Sequence, residues 1–387
     1  MRWSFVRAKH VLWLLVALFC LLVIMEVCKD GGGDGGEVRK DIKDVPPVLT
    51  KPKKWEMVSS CREDPFIKNI TDFAQLPAII QDFLRYKHCR NFPQILDAPM
   101  KCGGRNKSKG VFLLLAIKSS PQNYERRAVV RQTWGEETIY KGAHIKTIFL
   151  SGTSKNQRED RRLRQLLQIE SEKYGDILQW DFHDTFYNLT LKQFLFHQWL
   201  TENCPGAHFI MNGDDDIFVN TYNVVKYLSD KRADSHLFVG QLIANVGPIR
   251  NPGSKYYVPV QVYSSDSYPA YCGGGGILMS RFTAHVIYNK SLDIPLIPID
   301  DVYLGMCLNK AGLAPASHMA MSTVGVPVPS KDIDSFDPCF YRQLLMVHRF
   351  VPFEMMIMWN AVNDPDLHCG QKLSLYGGAS DKLPNKL

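Results

Sequence analysis

Three carboxylates stand side by side at Asp214, Asp215 and Asp216, inside the run HFIMNGDDDIFVN of residues 208–220. Phe209, Ile210 and Met211 lead in, and Ile217, Phe218 and Val219 lead out, so apolar strands are expected on both sides. Like charges beside an apolar core cost free energy unless a cation offsets them. Alternate side chains of an extended chain share a face, which lets Asp214 and Asp216 aim at one point. Hard carboxylate oxygens suit Mg2+ or Mn2+, and a metal held by one or two of them keeps open positions for phosphate oxygens. A solvated turn is the bland reading of three aspartates in a row, and the flanking apolar runs weigh against it.

Other stretches could also do chemistry. In PLIPIDDVYLGMCLNKAGL, Asp300 and Asp301 open a predicted helix that ends at Gly312. An aspartate there is ordinarily a cap worth about 1 kcal/mol. The helix dipole would also hold it ionised, and an ionised carboxylate at a cleft edge is what a general base requires. YCGGGGILMS, residues 271–280, has four glycines that permit close backbone approach to a ligand, or simply make a flexible turn. It is not a P-loop, because no G-K-S/T follows. In YERRAVVRQTWG, Arg127 and Arg131 lie four apart on one helix face. They could receive a diphosphate, although surface arginines are the commoner explanation. His348, in LLMVHRF, reads from its apolar surroundings as a core residue.

The elements that must position these residues follow from the hydrophobic pattern. VFLLLAIKS, from Val111, is a continuous apolar run, the mark of a strand buried on both faces. NYERRAVVRQTWG reads as a helix ending at Gly135, HIKTIFLSG as a second buried strand, and REDRRLRQLLQIESEKYG as an amphipathic helix closed by Gly175. ILQWDFHD, LTLKQFLFHQWLTENC and HFIMNGDD continue as strand, helix and strand. This alternation predicts a doubly wound α/β sheet, and such sheets bind ligands at the C-terminal ends of their strands. The triplet sits at one of those ends.

Residues 1–10 carry Arg2, Arg7 and Lys9, and residues 11–25 carry no charge. No small-residue cleavage site follows, so an uncleaved signal anchor over 11–27 is expected rather than a removed signal peptide. The basic flank keeps residues 1–10 cytoplasmic and puts the rest in the lumen. A Gly-, Pro- and charge-rich stem occupies 28–55, an N-terminal extension 56–110, and the catalytic domain 111–387. Sequons at Asn69, Asn106, Asn188 and Asn289 fit a lumenal domain, though each tripeptide alone is weak. So do eight cysteines beyond the membrane region, an even number in an oxidising compartment. Cys102 precedes VFLLLAI and Cys204 precedes HFIM; if those strands are parallel neighbours, the two thiols lie close enough to pair. The net charge of +7 is scattered, with no basic stripe interleaved with aromatics, so nucleic acid is not an expected partner.

Taken together, these segments resemble the β-1,3-glycosyltransferases of the secretory pathway. The likeness runs from about Val111 to Cys369, with a weaker match over residues 56–110. ERRAVVRQTWG is similar to that family's Arg-x-x-x-Arg-x-Thr-Trp segment, and WDFHDTFYNLTLK, with Asn188 and Lys192, to its Asn-Leu-Thr-x-Lys segment. NGDDDIFV resembles the metal motif, YCGGGG the glycine loop and IDDVYLGMC the base motif. The Ile-Asp-Asp form looks like the N-acetylglucosaminyltransferase branch; the galactosyltransferase branch more often reads Glu-Asp.

The resemblance implies a GT-A glycosyltransferase fold, a Rossmann-like mixed sheet flanked by helices, on a single-pass type II anchor in the Golgi membrane. It implies inverting, metal-dependent transfer of N-acetylglucosamine from UDP-N-acetylglucosamine, in β-1,3 linkage, onto a terminal β-galactose of O-glycan or poly-N-acetyllactosamine type. Glycoproteins or glycolipids ending in galactose would be the acceptors, and the chain could act as a homo- or hetero-oligomer. Within that pattern Asp216 and His348 ligate Mn2+ (or Mg2+), Asp214 and Asp215 support donor and metal, and Asp301 is the base with Asp300 beside it. Arg127, Arg131 and Lys192 would add to the hold on the donor. Two other readings stay open: a β-1,3-galactosyltransferase of the same fold, and a membrane-anchored carbohydrate-binding protein without catalysis. The second would be expected to have a degraded triplet or a missing base, and both are intact here.

Overall fold

A computed structural model describes residues 61–323 and 336–370. The expected anchor at 11–27 and the stem at 28–55 lie outside the described residues. Among the described residues no helix is long and apolar enough to cross a membrane.

The chain enters through helix α1 (Ala78–Tyr86) and strand β1 (Gln94–Leu96). Strand β2 (Leu113–Lys118) is buried at every position, as its unbroken apolar run requires. Helix α2 (Tyr124–Gln132) follows and stops short of Gly135, where a β-carbon would lie 2.4 Å from the Val130 side chain. A short β3 (Ile139–Tyr140) leads into β4 (Ala143–Thr153), the longest strand of the sheet. Helix α3 (Gln157–Tyr174) starts under an Asn156 cap and ends on Gly175 in the left-handed conformation. Then come β5 (Ile177–His183), α4 (Leu189–Asn203) and β6 (Phe209–Asp214), which ends at the acidic triplet.

Beyond the triplet the elements are shorter: β7 (Ile217–Val219), α5 (Thr221–Leu228), β8 (Phe238–Gly240), β9 (Leu242–Ile243), β10 (Tyr271–Cys272) and β11 (Gly276–Ser280). Helices α6 (Arg281–Ser291) and α7 (Asp300–Lys310) precede β12 (Ala316–Ser317) and β13 (Met321–Ser322). The described chain closes with α8 (Pro338–Tyr341), β14 (Met346–His348) and α9 (Pro352–Asn363).

The main sheet runs in the order β1-β5-β4-β2-β6-β11-β8-β12, with β3 on β4. Strands β5, β4, β2 and β6 are parallel, as strand–helix alternation predicts. The sheet then turns antiparallel at β11, so the fold is a mixed α/β sheet rather than a parallel doubly wound one throughout. Alternate residues of β2 feed two cores: Leu114 and Ala116 pack with Phe196, Trp199 and Tyr303, while Leu113, Leu115 and Ile117 pack with Trp134, Phe149 and Phe218. Cys102 and Cys204, just upstream of the parallel neighbours β2 and β6, form a disulfide. Cys61–Cys89 and Cys339–Cys369 are also bonded, while Cys272 and Cys307 are free and buried.

Candidate active site

Sheet register places the first charge pair. Lys118, the last residue of β2, stands opposite Asp214, the last residue of β6. Its ammonium lies 3.0 Å from Asp214 Oδ1 and 2.8 Å from Asp300 Oδ2, so one buried cation joins the acidic triplet to the acidic start of α7. Burial alone would lower the Lys118 pKa, but the two carboxylates outweigh it and hold the ammonium charged. Asp215 points elsewhere: it is buried, accepts from Asn123 Nδ2 at 2.8 Å and meets Arg126 at 3.1 Å. Arg126 also meets Asp216 Oδ2 at 3.1 Å.

His348 reaches the triplet through a three-stranded sheet, β13-β14-β7, in which it pairs with Ile217 across antiparallel strands. Its Nε2 is 3.0 Å from Asp216 Oδ1 and 3.8 Å from Asp214 Oδ2. The bond to Asp216 raises the imidazole pKa. Burial would raise the pKa of Asp216, but His348 and Arg126 win and it falls; at Asp214 burial wins over Lys118 and it rises. Asp214, Asp216 and His348 each offer a ligand atom within 4.8 Å of the others'. Two hard carboxylates and one imidazole converging this closely fit a divalent cation such as Mn2+ or Mg2+. Lys118, Arg126 and His348 approach these two carboxylates through different oxygens.

The second carboxylate pair opens α7. Asp300 is buried against Lys118, and despite that burial the lysine keeps it ionised, with its pKa lowered. Asp301 accepts from the Gly274 N–H at 2.9 Å and from the Val302 N–H at 2.8 Å. Burial, and then the charge of Asp300, push the Asp301 carboxyl up to about 7. The expectation that the helix dipole holds it ionised is therefore corrected: desolvation and a like charge dominate over the two backbone donors. A carboxyl poised near neutrality is well matched to proton abstraction.

The four glycines tie these pieces together. Gly274 donates to Asp301, Gly275 accepts from the Asp214 N–H at 3.0 Å, and a β-carbon on Gly275 would sit 3.1 Å from His348 Cγ. On Gly276 it would sit 2.5 Å from Met346 Sδ. The close approach expected for a ligand is thus made to Asp301, Asp214 and His348, and none of the four needs a positive φ.

Several expected residues take other places. Arg127 is 0% exposed, and its guanidinium donates to Glu170, Ser119 Oγ and the carbonyls of Ser120 and Pro121. Arg131 forks onto Asp176 and bonds Glu170, stacked between the Phe149 and Tyr174 rings. Both brace α2 and α3 instead of standing free for a diphosphate; the arginine of α2 that meets the triplet is Arg126. Lys192 is buried, 2.7 Å from Asp184, which also accepts from Gly152 N–H. This corrects its expected position on the donor, because it locks the ends of β4 and β5 together. Asn69, Asn106 and Asn289 are exposed. Asn188 differs: its amide donates to the His183 carbonyl and Thr190 is 0% exposed, so that tripeptide is folded into the start of α4.

Lys118 and Arg126 escaped the sequence reading. For Lys118 the available signal was a lone lysine ending a fully apolar strand; for Arg126 it was the choice among three arginines in one helix.

The Galactosyltransferase family matches residues 125–319. Over 366 residues the chain is 48% identical to the human N-acetyllactosaminide beta-1,3-N-acetylglucosaminyltransferase 3, covering 93% of this chain and 94% of that one. It is 52% identical over 305 residues to the mouse acetylgalactosaminyl-O-glycosyl-glycoprotein beta-1,3-N-acetylglucosaminyltransferase, covering 78% and 77% respectively. Among solved structures, the galactosyltransferase LgtC aligns with 62% of this chain and 87% of its own at 13% identity and a TM-score of 0.33.

Proposed function

The chain belongs to the galactosyltransferase family, and on that premise we propose that it is an inverting β-1,3-N-acetylglucosaminyltransferase of GT-A type. The donor is UDP-N-acetylglucosamine and the acceptor a glycan ending in β-galactose. One observation carries the reading: a carboxyl poised near neutrality, Asp301, is joined through a single glycine run to a three-residue cation site. The sugar and the linkage are those for which the similar human and mouse enzymes are named.

The residues divide the work. Ionised Asp301 takes the proton from the galactose 3-hydroxyl as that oxygen attacks the anomeric carbon. The bond from that carbon to the diphosphate oxygen breaks in the same displacement, so an α-linked donor gives a β-linked product. Asp300, kept ionised by Lys118, holds up the affinity of Asp301 for that proton. Asp214, Asp216 and His348 would hold the divalent cation, which supplies Lewis-acid stabilisation of the departing diphosphate. Arg126 fixes Asp215 and Asp216 from the α2 side.

The runner-up, a galactosyltransferase of the same fold, differs only in donor. Incubating the full-length protein with lactose, Mn2+ and either UDP-N-acetylglucosamine or UDP-galactose separates them. A trisaccharide formed from the first donor is expected; product only from the second would overturn the sugar assignment. Residues 11–27 would anchor the chain in the Golgi membrane with the catalytic unit lumenal. Deleting residues 1–27 behind a cleavable signal should then release activity into the medium, and protease resistance of the catalytic unit in intact vesicles should be lost with detergent.

A further inference from the structure

We propose that Tyr268 and Tyr271 form the platform on which the acceptor's terminal sugar is seated, on the side of Asp301 away from the cation ligands. The proposal rests on Asp301 being the base. Its first support is the order of contacts along one short stretch of chain. Gly275 abuts His348 and accepts from Asp214, and Gly274 donates to Asp301. Three residues before Gly274, Tyr271 pairs with Ile243 and lies against α7, where a β-carbon on Gly305 would come within 2.7 Å of Tyr271 Cβ. Cation ligands, base and tyrosine therefore follow one another in that sequence. A displacement with inversion needs the leaving diphosphate and the attacking hydroxyl on opposite faces of the anomeric carbon. With the diphosphate toward the cation ligands, the acceptor falls on the tyrosine side.

The second support is the state of the rings. Tyr268 and Tyr271 are both half-buried, with centroids 6.4 Å apart and planes at 88°, and Tyr263 backs Tyr268 at 5.1 Å. The Tyr263 hydroxyl donates to the Ser267 carbonyl, whereas those of Tyr268 and Tyr271 have no hydrogen-bond partner among the described residues. Burial, and then the nearby Asp301 charge, push the Tyr271 phenol up to about 12. Arg250 fixes the loop that carries them, donating to the carbonyls of Val258, Tyr263 and Ser265 at 2.7, 2.9 and 2.9 Å, while the Tyr268 N–H donates to Val246. Two held aromatic faces with free hydroxyls suit a β-galactoside. Its axial 4-hydroxyl leaves a contiguous C–H face for stacking and its other hydroxyls reach polar groups at the rim.

The test compares Tyr268→Ala, Tyr271→Ala and the two Phe variants in the full-length protein, with lactose as acceptor. Each Ala variant should raise the lactose KM about tenfold, the order of one stacking contact, and each Phe variant less than about threefold. The KM for UDP-N-acetylglucosamine and its slow hydrolysis without acceptor should not move. An unchanged lactose KM in both Ala variants overturns the platform, as does a parallel loss of donor hydrolysis, which would mark a structural role. Lactose binding is also read directly by saturation-transfer NMR. Binding that is lost in the Ala variants, from a wild type that transfers no sugar, would reject the transferase reading and keep the platform; binding indifferent to both would do the reverse.

Discussion

At the scale of the residue, the site is an arrangement of opposed pKa values. Asp300 is held ionised by Lys118, and Asp301, its neighbour in sequence, is pushed up to about 7. Because Asp301, the proposed base, must be deprotonated to act, kcat at saturating Mn2+ should rise with pH through about 7 and then level. A rate already flat at about pH 5, where an ordinary carboxylate is ionised, would contradict the assignment. Asp301→Asn should cut kcat by about 10²- to 10⁴-fold while leaving UDP binding by calorimetry close to wild type. His348→Ala should raise the Mn2+ concentration needed for half-maximal rate, and an unmoved metal titration would remove His348 from the ligand set. Both aspartate clusters were legible in the sequence, since carboxylates among apolar residues are conspicuous. Lys118 was not, because only strand pairing turns a terminal lysine into a counter-charge.

At the scale of the element, the glycine run and helix α2 carry different loads. Gly213 faces the run closely: a β-carbon there would lie 2.7 Å from the Gly275 carbonyl and from Ile217 Cδ1. Backbone cannot rotate away as a side chain can. Gly213→Ala should therefore destabilise the fold by about 1–3 kcal/mol, read from thermal unfolding. Gly275→Ala presses instead on the His348 ring, so its effect should appear first in the Mn2+ titration. Helix α2 was legible from its pattern, but the duties of its arginines were not. Periodicity puts Arg127 and Arg131 on one face, and tertiary packing decides that this face meets Glu170 and Asp176. Arg127→Met should leave Glu170 without one of its partners and lower the unfolding temperature, while the donor KM stays near wild type. A large rise in donor KM at unchanged stability would restore the diphosphate role.

At the scale of the whole molecule, strand–helix alternation foretold the parallel half of the sheet and the strand end at which the acidic triplet sits. The half beyond β6 was not legible, because β8 and β12 are too short for their pattern to declare a direction. The Cys102–Cys204 disulfide closes a loop of 102 residues, so removing both cysteines should cost up to about 5 kcal/mol through the freed unfolded chain. A variant with unaltered thermal stability would show that the sheet alone holds these strands.

The pairing of β2 with β6 has one more consequence. Lys118 meets Asp214 because the two strands are aligned residue for residue from Leu113 and Phe209 onward. A slip of one residue would turn every side chain of β2 to the opposite face. It would bring Ile117 or Ser119 opposite Asp214, and the acidic clusters would face each other without their shared cation. Because β2 is apolar and buried on both faces, burial alone does not tell one register from the next, and the ion pairs of Lys118 with Asp214 and Asp300 mark the alignment that balances the charge of the site.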